Sequence, residues 1–237
     1  MKNYYLVGED IQNSLSPFIH NYVFKKIKIN ANYMLYEVKT SSDCLVLLNK
    51  SFDKNIAGIN ITKPFKKELI MHIDHIDDDA LKIKAINCIS FDNNALVGHN
   101  TDWIGFIKMI KNNNIIVNDK EVHIIGEGGS FKAIYFALKY LGCTNFKFYN
   151  KKNVEKLNID KSKTNSIVVN CTPKHFLEDS AKFRDNFING NYSWIDLLYT
   201  KLSTKNAQLI NNSEQLYING VDMLIYQALE SINIWFR

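Results

Sequence analysis

Glu121-Val122-His123-Ile124-Ile125-Gly126-Glu127-Gly128-Gly129-Ser130-Phe131-Lys132 is the stretch that decides the fold. The run from Glu121 to Ile125 predicts a buried strand, and it passes directly into Gly126-x-Gly128-Gly129. Phe131–Leu141 then predicts a helix with Gly142 as its stop. Asn145–Tyr149 predicts a second strand. Strand, glycine turn, helix and strand make a βαβ unit, which implies a parallel sheet. Residues without side chains let the backbone turn tightly and expose the N–H groups at a helix start, where a pyrophosphate can be held. An ordinary βα turn has the same outline, so the glycines acquire meaning from what surrounds them.

The next strand tip adds information. In dinucleotide-binding folds an acid about 20 residues beyond the glycines grips a free ribose 2′-hydroxyl. Here the tip reads Tyr149-Asn150-Lys151-Lys152, with no acid, and residues 147–163 hold six lysines against Glu155 and Asp160. A 2′-phosphate fits that setting better, which favours NADP over NAD; the other reading is a solvated lysine face. Lysine cannot make the planar two-point contact of arginine, so the preference is the softer for it. Glu127 would repel a pyrophosphate unless its carboxylate points outward.

Working outward, Ser166–Asn170 and Ser193–Leu197 predict later strands and Met223–Phe236 an apolar-rich helix. Ahead of the glycines, Asn3–Val7, Tyr33–Val38 and Ile56–Ile61 predict strands. Pro17–Lys26, Asp43–Lys50, Lys66–Ile73 and Trp103–Lys111 predict helices. Ala85–Phe91 and Ala95–Gly98 predict a hairpin about Asp92-Asn93-Asn94. The fold class is α/β in two domains. Residues 1–101 form an α/β substrate domain to which a C-terminal helix, 219–237, returns. Residues 102–218 form a Rossmann-like parallel-sheet domain.

Composition narrows the function classes. The 237 residues, 46% hydrophobic and 22% charged, describe an ordinary globular chain. The net charge of +5 is mild for a nucleic-acid binder, and no patch interleaves aromatic and basic residues. Residues 102–237 carry 17 basic and 13 acidic side chains, so most of the excess lies there. No apolar run approaches the ~18 residues of a membrane span. The early polar turn at Gly8-Glu9-Asp10 argues against a signal peptide. Cys44, Cys88, Cys143 and Cys171 form no CxxC pair and read as reduced thiols of a cytoplasmic protein. His72 and His75, beside Asp74, Asp77, Asp78 and Asp79, would share a helix face at i, i+3. They read as a solvated acidic helix end rather than a metal site.

Several polar clusters close the strands of the first domain. Ser14-Leu15-Ser16-Pro17 precedes a helix. Asn60-Ile61-Thr62-Lys63-Pro64-Phe65-Lys66 follows a strand, Asn87 lies in Ala85-Ile86-Asn87-Cys88, and Asn100-Thr101-Asp102 marks the domain boundary. Alone, each reads as an N-cap, a turn or a strand-end amide. Their order, joined to Gly126-x-Gly128-Gly129, Asn170-x-Thr172, Asp196-x-x-Tyr199 and Met223-Leu224-x-x-Gln227-Ala228, resembles the shikimate dehydrogenase family over nearly the whole chain.

That resemblance implies reduction of 3-dehydroshikimate to shikimate with NADPH, on the route to aromatic amino acids, by a monomer or homodimer. It implies Lys66 and Asp102 as the catalytic pair. Ser14, Ser16, Thr62, Asn87, Asp102, Tyr199 and Gln227 correspond to substrate ligands. Gly126, Glu127, Gly128, Gly129 and Ser130 correspond to the phosphate loop, and Asn150, Lys151 and Lys152 to the 2′-phosphate segment. Leu197, Gly220 and Asp78 correspond to cofactor-side positions. The chemistry is consistent: hydride arriving at a ketone carbon leaves charge on oxygen, which an ammonium can stabilise and protonate. The chain departs from the family pattern at Asn13 (usually His), Cys88 (usually Thr), Phe131-Lys132 (a small residue and Arg), His175 (often Gly) and Lys201 (Pro). Alternatives are a relative acting also on quinate and a non-catalytic shikimate-binding paralogue.

Overall fold

A computed structural model describes residues 1–50, 55–159 and 166–237. Asp160, Lys161 and Lys163 of the lysine-rich segment lie outside the described residues. The chain divides into two compact units, Met1–Phe106 with Leu224–Arg237, and Ile107–Met223. The division falls inside a helix, with the second unit beginning five residues beyond the start read at Asp102.

The first unit opens β1 (Lys2–Gly8), α1 (Ser16–Lys26), β2 (Ala31–Glu37), α2 (Ser41–Lys50) and β3 (Ile56–Ile61). It continues with β4 (His75–Ile76), α3 (Asp78–Ile83), β5 (Cys88–Asp92) and β6 (Ala95–His99), then enters α4 (Asp102–Asn112). The described strands form a six-stranded sheet in the order β2-β1-β3-β5-β6-β4. β1 lies parallel to both β2 and β3, whereas β5 runs antiparallel to β3 and β6. The β5–β6 hairpin turns where expected, with Asn93 and Asn94 both at positive φ, the conformation a two-residue hairpin turn requires.

Side-chain alternation along β1 builds a core on each face of this sheet. Val7 and Tyr5 join Leu47, Leu48, Ile59, Phe65 and Ile89 on one side. Tyr4 and Leu6 join Phe24, Tyr33 and Ile232 on the other. The C-terminal helix α9 (Val221–Trp235) closes the second core. Trp235 packs on Tyr4 at 4.7 Å between ring centroids and donates its indole N–H to Ile89 O at 3.0 Å.

The helix expected over Lys66–Ile73 is instead a short 3-10 turn, Glu68–His72. Leu69 is buried there while Met71 is largely exposed, so the apolar residues form no continuous stripe. His72 ends that turn and His75 sits on β4, so the two histidines share no helix face. Among the described residues no group of three or more His, Cys, Asp or Glu side chains is placed to hold a metal.

The second unit contains β7 (Glu121–Ile125), α5 (Gly129–Tyr140), β8 (Asn145–Tyr149), β9 (Ser166–Asn170), α6 (Phe176–Asp179), α7 (Ala181–Ile188), β10 (Tyr192–Asp196), α8 (Thr204–Asn211) and β11 (Tyr217–Ile218). Its described strands are all parallel, in the order β11-β10-β9-β7-β8. Every residue of β9 is buried, as expected for an inner strand covered on both faces. The order reverses between β7 and β9. In doubly wound sheets a ligand crevice lies at that switch point, outside the carboxyl ends of the strands. Gly126 and Cys171 follow those two strands directly.

Candidate active site

In the first unit, Lys66 lies on the loop after β3 and Asp102 opens α4. Lys66 Nζ donates to Asp102 Oδ2 at 2.6 Å, and both side chains are largely shielded from water. The other carboxylate oxygen, Oδ1, accepts from Asn87 Nδ2 at 2.9 Å. Asn87 itself is fixed by Thr101, whose backbone N–H donates to Asn87 Oδ1 at 2.6 Å. Asn100 Oδ1 accepts from the Asp102 N–H at 3.1 Å, and Asn100 Nδ2 donates to Ala85 O at 2.8 Å. Asn100-Thr101-Asp102 thus fastens the start of α4 to the segment Ala85–Asn87 that leads into β5. Gln227, from α9, accepts at Oε1 from Asn87 Nδ2 at 3.4 Å.

Ser14 and Ser16 form a separate pair. The two hydroxyls are 3.2 Å apart, and the Ser16 N–H donates to Ser14 Oγ at 3.2 Å. A relay of side chains links this pair to Asn87. Ser16 O lies 2.8 Å from His20 Nδ1, and the His20 ring stacks on Tyr33 at 3.9 Å. Tyr33 OH donates to Asn60 Oδ1 at 2.8 Å, and Asn60 Nδ2 donates to Asn87 O at 3.0 Å. Burial lowers the His20 pKa to about 4, so the ring is neutral and its Nδ1–H donates to the Ser16 carbonyl. His20, Tyr33 and Ser231 were not among the residues singled out from sequence. Ser231 Oγ, a helical turn past Gln227, accepts from Asn60 Nδ2 at 2.9 Å; its i, i+4 spacing from Gln227 was the available signal. Thr62 stands beside Gly8, its N–H donating to Val7 O at 2.9 Å.

In the second unit, Gly126 has φ +128°, and an added Cβ would come within 3.2 Å of Cys171 Cβ. Both the backbone conformation and the closeness of the neighbouring loop select glycine. Gly128 caps α5, which begins at Gly129, two residues ahead of the start expected at Phe131. Gly129 and Ser130 therefore lie in the first helical turn, where backbone N–H groups lack partners in the helix. Space beyond Gly128 is open, with nothing within 4 Å of where its Cβ would be. Glu127 is exposed as expected, but its Oε2 also accepts from Asn150 Nδ2 at 3.4 Å. The loop thus touches the tip of β8. Asn150 Oδ1 turns back to accept from the Lys152 N–H at 2.9 Å, leaving Lys151 and Lys152 exposed.

Leu197 and Gly220 meet on the carboxyl side of the same sheet. A Cβ on Gly220 would fall 2.1 Å from Leu197 O. Tyr199 is half-buried two residues further along the β10 loop. Asp78 is exposed in the first turn of α3, in the first unit rather than with the glycine loop.

Known proteins with this pattern point one way. A family profile described as the shikimate dehydrogenase substrate binding domain matches residues 6–89. A shikimate dehydrogenase (NADP(+)) of Clostridium beijerinckii is 32% identical over 250 residues, covering 99% of this chain and 92% of the relative. One from Clostridium botulinum is 35% identical over 247 residues, covering 97% and 95%. The crystal structure of shikimate dehydrogenase 1 from Peptoclostridium difficile superimposes with a TM-score of 0.84 at 27% identity, covering 100% of this chain and 92% of that one. The chain belongs to the shikimate dehydrogenase family.

Its departures from the family pattern now have positions. Asn13 is exposed on the loop before α1. Cys88 is fully buried, and burial pushes its thiol pKa well up, so it is an inert core residue in this shikimate dehydrogenase fold. Lys132 lies in the first turn and a half of α5, and Lys201 is exposed after the β10 loop. His175 is buried and its Nδ1 lies 3.5 Å from Asp196 Oδ2. Among the described residues, no helix is long and apolar enough to cross a membrane.

Proposed function

We propose that this chain reduces 3-dehydroshikimate to shikimate with NADPH, and that Lys66 and Asp102 carry the proton chemistry. The 2.6 Å contact between them is the observation that carries the reading. Lys66 is held at the mouth of a network whose remaining hydrogen bonds are internal, so its ammonium has a fixed direction but is not wholly buried. An ammonium so placed stabilises negative charge on a ketone oxygen and gives it a proton. Asp102 is fastened on both oxygens, by Lys66 and Asn87, and orients the amine while offering an acceptor to a substrate hydroxyl. Ser14 and Ser16, at the amino end of α1, suit a carboxylate, to which their hydroxyls can donate. Thr62, Asn87, Tyr199 and Gln227 complete the set proposed to bind substrate.

The second unit fits the dinucleotide. Open space at Gly128 and the free first turn of α5 accommodate a pyrophosphate between Gly126 and Ser130. Exposed Lys151 and Lys152, with Asn150, suit a 2′-phosphate. Leu197 and Gly220 are assigned to the nicotinamide side, and Asp78 to a peripheral cofactor contact. When bound, NADPH supplies the hydride. The free thiols of Cys44, Cys88, Cys143 and Cys171 fit a reducing compartment, and we place the enzyme in the cytoplasm.

The test is NADP(H) absorbance in purified protein with shikimate or quinate and with NADP or NAD, in all four pairings. Turnover greatest with shikimate and NADP is expected. Equal or better turnover with quinate, or none with either substrate, would overturn the assignment.

A further inference from the structure

We propose that His175 is a positioning residue. It acts through Asp196 to keep the loop after β10, Leu197–Tyr199, tied to the loop after β9. This rests on the reading above, in which Leu197 and Gly220 border the cofactor.

The geometry is confined to the second unit. Asp196 ends β10 and is fully buried; His175 precedes α6 and is nearly so. Asp196 Oδ1 accepts from the Leu198 N–H at 3.1 Å and from Asn170 Nδ2 at 3.1 Å. Asn170 also donates to Lys174 O at 2.8 Å, and its Oδ1 accepts from the Thr172 hydroxyl at 2.8 Å. One carboxylate therefore organises both loops, from Thr172 to Lys174 and from Leu197 to Leu198. Its second oxygen, Oδ2, is buried without a hydrogen bond, and so are both His175 ring nitrogens. They face one another at 3.5 Å. A buried carboxylate oxygen without a partner is costly, and the polar edge of the His175 ring at this distance offsets part of that cost.

Tyr217 on β11 and Trp194 on β10 bear on the Asp196 carboxyl, and Glu178 on α6 lies close enough to interact with His175. Lys174 directs its ammonium over the Phe176 ring, 5.1 Å from the centroid. Burial pushes the Asp196 pKa up, while His175, the Leu198 N–H and Asn170 pull it down. An ionised Asp196 makes charge-assisted bonds to the Leu198 N–H and Asn170, which are roughly twice as strong as neutral ones. Protonation weakens the tie, and without His175 protonation comes at a higher pH.

The experiment is NADPH affinity as a function of pH, from about 5.5 to 8, for the whole enzyme, His175→Gln and Asp196→Asn. KM for NADPH and direct binding by NADPH fluorescence are both read. The cofactor phosphate titrates identically in every protein, so only differences between proteins count. His175→Gln is expected to move the low-pH loss of affinity upward by about one pH unit, with kcat within about twofold. Asp196→Asn, if folded, is expected to lack that component. Superimposable profiles for the parent and His175→Gln would overturn the proposal. A parent that binds NADPH but turns over no shikimate would defeat the proposed function alone, since the fluorescence profiles still report on His175.

Discussion

Lys66 Nζ and Asp102 Oδ2 are 2.6 Å apart although 36 residues separate them, one on the loop after β3 and the other at the first position of α4. Replacing Lys66 with Ala removes the proton donor but none of the residues proposed to hold the substrate carboxylate. We expect kcat to fall by about 10²–10⁴-fold with the shikimate KM changed only a few-fold. Steady-state kinetics check this, and near-normal kcat would remove Lys66 from the chemistry.

Cofactor choice gives an independent prediction. Lys151 and Lys152 are exposed beyond β8, where Asn150 folds the chain back on itself. In the Lys151→Ala, Lys152→Ala double variant, KM for NADPH should rise by about tenfold or more, with NADH almost unaffected. Equal changes for both cofactors would assign these lysines to the general charge of the surface.

These two regions differ in how much the chain itself discloses. The β7–α5–β8 unit is legible because its signals are local: an apolar strand, glycines, a helix stopped by Gly142 at φ +87°. The polar strand ends were legible in their order along the chain, which is how Lys66, Asn87, Asp102 and Gln227 were selected. What joins them was not. His20, Tyr33 and Asn60 touch in sequence only through tertiary folding, and a buried histidine in an amphipathic helix looks like any other polar residue. The short helices α6 and α7 were missed although Phe183 and Phe187 stand one turn apart and both are buried. Four to eight residues are too few for periodicity to declare itself.

His20 ties fold stability to pH. Its folded-state pKa is about 4, below the ordinary 6.5, because burial penalises the cation. Above pH 6.5 the ring is neutral in folded and unfolded chains alike, and its contribution is fully present. As pH falls from 6.5 to about 4 the unfolded chain takes up the proton first, and stability is lost. The shift corresponds to about 3 kcal/mol at most. Urea unfolding of the parent and of His20→Phe across this range should show a shallower acid loss in the variant. Parallel curves would mean that other groups set the acid limit.

Two glycines on the carboxyl side of the second sheet should respond differently to the same methyl group. At Gly220 the new Cβ would lie 2.1 Å from Leu197 O and 2.5 Å from Leu197 C. Those are backbone atoms, so the β10 loop must move rather than a side chain rotate. Gly220→Ala should cost about 1–3 kcal/mol and lower the melting temperature by several degrees. At Gly128 the φ is −79° and the added methyl meets nothing within 4 Å, so Gly128→Ala should melt within about 1 °C of the parent. The methyl instead enters the space assigned to the pyrophosphate. NADPH and NADH share that group, so their KM values should rise together by about tenfold or more. Differential scanning calorimetry with kinetics on both cofactors separates the cases. A Gly128→Ala enzyme with unchanged KM for both would place the pyrophosphate elsewhere.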